Sequence, residues 1–223
     1  MTSRESILES IRAALGRQAG QSAASLEEPR LRVVPSDDVA ALFVSKFELL
    51  GGKAFRVQGA GEVAELVSGL LGGKRAVASN APFLRECGVT RLPQVESDFT
   101  NREQLRAACA SAGMGITSAD YVLADTGTLV MLSSQREARL ISLLPPVHLA
   151  IFPRNRILTG LDELLTVLPN PAEQTSSMVL ITGPSRTADI EQILVRGVHG
   201  PGEIQAVMVD AGETCHPTVT PHS

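Results

Sequence analysis

Tryptophan is absent from the chain, and aromatic residues make up only 3% of its 223 residues. The hydrophobic share of 43% is nevertheless enough for a sizeable core. We therefore expect a core built mainly from leucine, valine, isoleucine and alanine. The length allows one large domain or two small ones.

Cysteine is scarce as well. Cys87, Cys109 and Cys215 are far apart, odd in number, and form no C-x-x-C pair. This pattern excludes a disulfide-rich scaffold. It also leaves the chain without the set of thiolate ligands that holds an iron–sulfur cluster. Reduced cysteines, as in a cytosolic protein, are the expected state.

Positive charge is not clustered, and the net charge is −4, which argues against a nucleic-acid-binding protein. Long hydrophobic runs are missing too. The longest, Leu140–Phe152, is interrupted by Pro145, Pro146 and His148 and is too short to cross a bilayer. The amino terminus is charged and lacks the apolar core of a secretory signal. We therefore expect a cytoplasmic protein without a membrane span.

No sequence pattern predicts a metal site, because there is no H-E-x-x-H motif and no cluster of cysteine and histidine. His148 lies in an apolar run, Val147–Phe152, that predicts a strand after two prolines. A hydrogen-bonded core histidine is the better interpretation of this residue.

Composition and hydrophobic periodicity divide the chain into four parts. These are a short amphipathic helix, a polar linker, one α/β domain and a flexible Pro/Thr-rich tail, at residues 1–16, 17–34, 35–209 and 210–223. Inside the domain, predicted strands at 54–57 and 75–78 flank a predicted helix at 60–71. Further helices are predicted to about Leu50, with Ser36 as the cap, and to about Ser111, with Asn101 as the cap. The alternation of strands and helices predicts a mostly parallel sheet.

The stretch from Met178 to Gly200 is the most informative part of the sequence. Met178–Thr182 is an apolar, β-branched run that predicts a buried strand, and Gly183-Pro184 ends it. Beyond this break, apolar residues share one helical face, at Ile190, Ile193, Leu194 and Val198. Strand, tight turn and helix are therefore expected in this order.

Three donor side chains, Ser185, Arg186 and Thr187, fall at the start of this predicted helix. Backbone N–H groups at a helix start lack helical partners, and at the carboxyl end of a strand they face the crevice where ligands bind. The three side chains suit a phosphate or a carboxylate. The alternative is that the two hydroxyls only cap the helix, Arg186 is solvated, and Asp189 complements the helix dipole. The residues alone leave both interpretations open.

Two carboxylates flank a predicted strand, Tyr121–Ala124, which a second one, Thr128–Leu132, follows. Asp120 precedes the first strand, and Asp125 lies in the turn between them. Such a pair suits acid–base or nucleophilic chemistry. The alternative is that both carboxylates accept backbone hydrogen bonds in turns. The small residues of Gly115–Ala119 would let a ligand approach the backbone closely.

Five motifs follow one another in an order that is typical of one family. They are G-I-T-S-A-D (Gly115–Asp120), A-D-T-G-T-L-V (Ala124–Val130), S-L-L-P-P-V-H-L-A (Ser142–Ala150), G-P-S-R-T-A-D-I-E (Gly183–Glu191) and G-V-H-G-P (Gly197–Pro201). In these residues the chain resembles the lactate utilization protein C family, which carries the LUD domain. The resemblance extends from about Pro35 to Val209. It departs from the family at Asp125, where glutamate is usual; the charge is kept and the reach is shortened.

The resemblance implies a three-layer α/β/α fold with a mostly parallel sheet, similar to the NagB, RpiA and CoA-transferase proteins. Those relatives bind sugar phosphates, CoA esters or folates at the carboxyl edge of the sheet. The resemblance also implies one pocket between two loops, with Asp120 and Asp125 as candidate catalytic residues. The implied substrate-binding residues are Thr126, Gly127, Thr128, Ser185, Arg186, Thr187 and Asp189.

The family acts in the oxidation of L-lactate to pyruvate together with iron–sulfur partner proteins. The first hypothesis is therefore a subunit of a cytoplasmic lactate-oxidising complex, with the clusters on the partners and no cofactor in this chain. The alternative is a stand-alone enzyme on an anionic small molecule, such as a sugar phosphate or an acyl-CoA, with Asp125 as the nucleophile. A third hypothesis is a non-catalytic scaffold whose amino-terminal helix docks on a partner.

Overall fold

The computed structural model describes residues 3–16, 38–134, 136, 138–188, 194–197 and 199–210. It divides the chain into two units, residues 1–30 and 31–223. In the first unit, Ser3–Leu15 forms helix α1, as its periodicity predicts. The predicted linker and the tail beyond Asp210 lie outside the described residues. Among the helices of the described ranges, none has the length and apolar character needed to cross a membrane.

A six-stranded parallel sheet, the main sheet, forms the centre of the second unit. In spatial order its strands are β1 (Lys53–Val57), β12 (Glu203–Val209), β7 (Val147–Pro153), β4 (Met114–Ser118), β2 (Ala76–Ala78) and β3 (Val95–Glu96). All five neighbouring pairs are parallel. The inner strands β7 and β12 are buried along nearly their whole length, which is typical of a parallel sheet covered on both faces.

Helices cover both faces of the main sheet. They are α2 (Val39–Leu49), α3 (Ala60–Leu71), α4 (Pro82–Glu86), α5 (Arg102–Ser111) and α6 (Arg139–Leu143). Two further helices, α7 (Leu161–Val167) and α8 (Pro171–Gln174), occur later in the chain. Short 3-10 helices follow α4 and β7, at Val89–Arg91 and Arg154–Arg156. The predicted cap of α2, Ser36, lies outside the described residues. Asp38 caps this helix instead, since its Oδ1 accepts hydrogen bonds from the backbone N–H groups of Ala40 and Ala41.

The side chains of the main sheet alternate between two hydrophobic clusters, one on each face. Ile151 packs on the face covered by α3 and α4, and its neighbour Phe152 packs on the face covered by α2. The helices α5 and α6 cover the second face near β2, through Cys109 and Ile141. The predicted three-layer α/β/α architecture is therefore confirmed.

A smaller mixed sheet lies on the same face as α2. Its strands, in spatial order, are β8 (Ile157–Leu158), β5 (Tyr121–Leu123), β6 (Thr128–Leu132) and β9 (Met178–Ile181). Between this small sheet, α2 and the main sheet, the ring of Phe43 lies 5.2 Å from that of Phe47 and 5.6 Å from that of Phe152. Phenylalanine, although scarce, thus occupies the centre of this cluster.

The structure corrects the helix predicted after Ser185 and adds a strand that was not predicted. The described residues 186–188 and 194–196 are not helical; they form β10 (Arg186–Ala188) and β11 (Leu194–Arg196), which pair in antiparallel fashion. The backbone N–H of Gly197 donates to the carbonyl of Ser185, which continues the ladder. The small residues after Gly113 also form a strand, β4. A Cβ atom on Gly115 would lie 1.9 Å from the carbonyl oxygen of Ile141, so a glycine here allows α6 to pack on the sheet.

Candidate functional site

The two candidate carboxylates lie at opposite ends of the hairpin formed by β5 and β6. Asp120 follows the end of β4 after one residue, at the carboxyl edge of the main sheet, and Asp125 lies in the turn at the far end of β5. A strand rises about 3.3 Å per residue, so the three residues of β5 alone separate the backbone positions of the two aspartates by about 10 Å. The two residues therefore start from opposite ends of the strand.

Asp120 holds the base of this hairpin together. Its Oδ2 accepts a hydrogen bond of 2.7 Å from the backbone N–H of Leu132, and its own N–H donates to the carbonyl of Val130. Burial raises the pKa of Asp120 to about 6, against the lowering effects of the Leu132 N–H and the positive charge of Arg156. Arg156 itself lies over the ring of Tyr121, at 5.5 Å from its centroid. The alternative prediction, a carboxylate that accepts a backbone hydrogen bond, thus describes the geometry of Asp120.

Asp125 is enclosed by the loop between β8 and α7. Its backbone N–H donates to the carbonyl of Thr159, and a Cβ atom on Gly160 would lie 2.6 Å from its Oδ2. Its Oδ1 is buried and has no hydrogen-bond partner in the described structure. A buried acceptor without a donor is costly, so a donor supplied by a ligand would be favourable here.

Three threonine hydroxyls form a chain next to Asp125. Thr128 is buried and donates to Thr126 across 2.8 Å, and its oxygen lies 2.8 Å from that of Thr182. Because a hydroxyl has one proton, Thr182 must donate to Thr128, and the proton of the exposed Thr126 remains for an external acceptor. Thr182 was not among the predicted site residues; its position at the end of an apolar strand, beside Gly183, was the available signal.

Gly127 completes the turn for a steric reason. Its φ angle is +64°, and a Cβ atom would lie 2.5 Å from the backbone nitrogen of Phe47. The turn therefore packs directly on α2, and only glycine allows this approach.

The motifs around Ser185 and Gly200 contact one another at the amino edge of the main sheet, whereas the sequence predicted the carboxyl edge. The Ser185 N–H donates to the carbonyl of Pro201, and the Gly202 N–H donates to that of Pro146. Pro146 directly precedes β7, and Gly202 directly precedes β12, so these motifs lie at the amino edge. The predicted crevice at a helix start on the carboxyl edge is therefore wrong for Ser185.

Two further predicted residues, Arg186 and Thr187, belong to β10, of which the structure describes the backbone. Asp189 lies outside the described residues. The bond between Thr128 and Thr182 nevertheless brings the turn of the β5–β6 hairpin next to the segment that leads into Ser185. The structure thus joins part of the two predicted walls and leaves Asp120 apart from them.

The side chains of His148, Cys87 and Cys109 are buried inside the fold. His148 is fully buried in β7, as predicted, and burial lowers its pKa to about 4. Burial raises the pKa of Cys87 to about 12 and that of Cys109 to about 11, so both remain thiols. These cysteines lie in clusters on opposite faces of the main sheet. In the described part of the chain, no group of three His, Cys, Asp or Glu residues could hold a metal ion.

Comparison with known protein families gives a match over most of the second unit of the chain. The LUD domain model matches residues 40–209. The lactate utilization protein C of Halalkalibacterium halodurans is 38% identical over 136 residues, which cover 57% of this chain and 59% of that protein. The protein of the same name from Bacillus subtilis is 36% identical over 121 residues, covering 52% of this chain and 50% of that protein. These matches thus span between half and three fifths of each relative.

A solved structure shares the fold. The crystal structure of a DUF162 family protein from Deinococcus radiodurans superimposes with a TM-score of 0.60 at 19% sequence identity. The superposition covers 77% of this chain and 96% of that one. Since the family model spans the α/β unit from α2 to the end of β12, the chain belongs to the LUD domain family.

Proposed function

We propose that this chain is a component of a cytoplasmic system that oxidises L-lactate to pyruvate, with iron–sulfur clusters on partner proteins and no redox centre in the chain itself. The observation that carries the proposal is the LUD domain match over residues 40–209, together with relatives named lactate utilization protein C. Oxidation of lactate releases a pair of electrons and a pair of protons. In this proposal the electrons pass to the clusters of the partners.

The thiol chemistry of the chain supports this division of roles. Cys87 and Cys109 are buried on opposite faces of the main sheet, and their raised pKa values keep them protonated. A cluster needs converging thiolates, which these two residues do not supply.

The far end of the β5–β6 hairpin is the proposed ligand site of the chain. Asp125 offers an unpaired acceptor oxygen, and Thr126 offers a free hydroxyl proton. We keep the predicted assignment as part of the proposal. Asp120 and Asp125 are the candidate proton acceptors, and Thr126, Gly127, Thr128, Ser185, Arg186, Thr187 and Asp189 are the candidate binding residues.

A pull-down tests the system-level proposal. The tagged chain is purified anaerobically from lactate-grown cells, and the iron content, the co-purifying proteins and the lactate oxidation rate are measured. We expect iron-bearing partners that oxidise lactate only when the chain is present. Lactate oxidation at full rate by the isolated chain, or by the partners alone, would contradict the proposal.

Asp125→Asn tests the site within the reconstituted system. We expect a loss of lactate oxidation of at least about tenfold, since the amide keeps the volume and removes the charge. The matched control is Asp98→Asn, which removes an exposed carboxylate that pairs with Arg85 at the surface. An equal rate in both variants would remove Asp125 from the site.

The alternative, a stand-alone enzyme on an acyl-CoA or a sugar phosphate, is favoured by one observation, the unpaired Oδ1 of Asp125. An aspartate oxygen free of hydrogen bonds is available as a nucleophile. Incubation of the purified chain with an acyl-CoA, followed by mass spectrometry of the Asp125 peptide, would detect a covalent adduct. An unmodified peptide combined with iron-bearing partners in the pull-down would leave the lactate proposal.

A further inference from the structure

A small cavity with several polar side chains in its lining lies at the opposite end of the β5–β6 hairpin, beside the carboxyl end of β4. Thr117, Met131, Ser133, Arg139 and Ser142 are among the residues that line it. Its volume of about 10 Å³ is room for about one oxygen-sized group. The cavity lies under α6, next to the strand end that Asp120 fixes through Leu132.

Ser133 has one group left without a partner, the hydroxyl. Its backbone N–H donates to the carbonyl of Ser177, and its own carbonyl accepts from the hydroxyl of Thr175 at 2.8 Å. The Oγ atom is buried and has no hydrogen-bond partner in the described structure. The backbone is thus fixed, and the hydroxyl remains available to a guest in the cavity.

Thr117 is the second donor of the cavity. Its Oγ1 lies 2.8 Å from Nε2 of His148, and the low pKa of this buried histidine keeps the ring neutral. When Nε2–H donates to Thr117, the threonine proton makes a long hydrogen bond of 3.9 Å to the sulfur of Met131, a weak acceptor that the oxygen of a guest can replace.

Ser142 supplies an acceptor. Its own proton is used in a hydrogen bond of 3.0 Å to the carbonyl of Arg139, so its remaining lone pair faces a guest as an acceptor. Donors from Ser133 and Thr117 together with an acceptor from Ser142 match a single hydroxyl group, which accepts and donates at once. Arg139 is exposed where it lines the same cavity, and a guanidinium suits a carboxylate.

We infer that this cavity binds the hydroxyl of a small 2-hydroxycarboxylate, whose carboxylate lies at Arg139. The inference rests on the proposed function for the choice of L-lactate as the probe. It places lactate at the Asp120 end of the hairpin, in addition to the candidate site at the turn with Asp125. Thr117, Ser133 and Ser142 then select the hydroxyl, and Arg139 binds the charge.

Isothermal titration of the purified full chain with L-lactate and with propionate, which lacks the hydroxyl, tests the inference. We expect lactate to bind about tenfold more tightly, because propionate leaves the cavity's polar groups unpaired. Ser133→Ala is expected to weaken lactate about tenfold and to leave propionate unchanged. A merely structural effect of the substitution would weaken both ligands alike.

Arg139→Gln is expected to weaken both carboxylates by the same factor, of about tenfold. Its control, Arg91→Gln, removes an exposed arginine from the 3-10 helix on the opposite face of the main sheet and is expected to have no effect. Equal binding of lactate and propionate by the wild type, or no binding of either, would show that the cavity holds only water and would overturn the inference. Loss of lactate binding in Asp125→Asn but not in Ser133→Ala would also overturn it, by assigning the ligand to the turn. These titrations need no partner protein, so their failure is distinct from failure of the pull-down.

Discussion

The titrations of Asp120 and His148 are expected to have opposite and nearly equal effects on the free energy of unfolding as the pH changes. Burial raises the pKa of Asp120 from 3.8 to about 6, so the folded state binds a proton that the unfolded state has lost. Burial lowers the pKa of His148 from 6.5 to about 4, so the unfolded state binds a proton that the folded state lacks. As the pH rises from about 4 to about 6, the first effect lowers the free energy of unfolding and the second raises it.

The magnitudes are similar. A shift of about two pKa units corresponds to about 3 kcal/mol for each group, or about 1.4 kcal/mol per pH unit inside the window. The wild type should therefore show a nearly flat stability between about pH 4 and pH 6. The carboxylates of Asp38 and Glu203, whose pKa values are lowered from 3.8 and 4.5, contribute at the lower end of this window and below it.

Asp120→Asn is the variant that exposes the cancellation. The amide still accepts the Leu132 N–H, but only His148 remains to titrate, so stability should rise by about 3 kcal/mol between pH 4 and pH 6.5. His148→Gln should show the opposite slope, with stability falling by about 3 kcal/mol as the pH rises from about 4 to about 6. Urea unfolding at half-unit pH steps measures both profiles. An Asp120→Asn profile as flat as that of the wild type would refute the reasoning.

Three further predictions concern packing and thiol reactivity. Gly115→Ala should lower the free energy of unfolding in urea by at least about 3 kcal/mol, because the new methyl group meets a backbone carbonyl of α6. Gly69 is exposed in α3 with open space around it, so Gly69→Ala should raise the free energy of unfolding by about 0.5–1 kcal/mol. Equal effects of the two substitutions would contradict the packing argument. Thr128→Val should lower the free energy of unfolding by about 1–3 kcal/mol in the same assay, since the hydroxyls of Thr126 and Thr182 lose their partner. An unchanged urea midpoint would contradict the proposed chain of hydroxyls. Cys87 and Cys109 should resist iodoacetamide at pH 8 until urea is added, as read by mass spectrometry of their peptides; rapid native labelling would show that neither thiol is held protonated.

Local signals were sufficient for elements whose sequence and environment agree. The helix α3 was predicted at its observed bounds because its apolar residues share one face and Gly72, in a left-handed conformation, ends it. Asn101 was correctly predicted as a cap, and it accepts from the N–H groups of Glu103 and Gln104. The order of strands and helices was likewise enough to predict a parallel sheet.

Tertiary packing decided the elements that were predicted wrongly. The apolar spacing after Ser185 fits a helical face, but the chain pairs Thr187 with Val195 across two strands. The helical periodicity of the apolar residues gives no indication of such a strand pairing. The strand β4 was not predicted because its Gly115 is unusual in a strand. The glycine is required by the close packing of α6, and a single sequence does not reveal this contact.

The candidate site was predictable in its residue types but only partly in its geometry. Asp120 and Asp125 are close in sequence, and their separation follows from the extended strand between them. The contact between Thr128 and Thr182 joins residues 54 positions apart, which no local pattern indicates. The cavity around Ser133 depends on three separate segments and could not have been found from spacing.

The position of β12 has a consequence for the order of folding. This last described strand lies between β1 and β7, and β1 pairs with no other strand of the main sheet. During synthesis, β1 must therefore wait for a strand that emerges about 150 residues later, as the distance from Lys53 to Glu203 shows. Contacts of such long sequence separation slow folding. The strands β7, β4, β2 and β3 form consecutive neighbouring pairs and can pair first, so we expect β1 to join the sheet only when the end of the domain has left the ribosome.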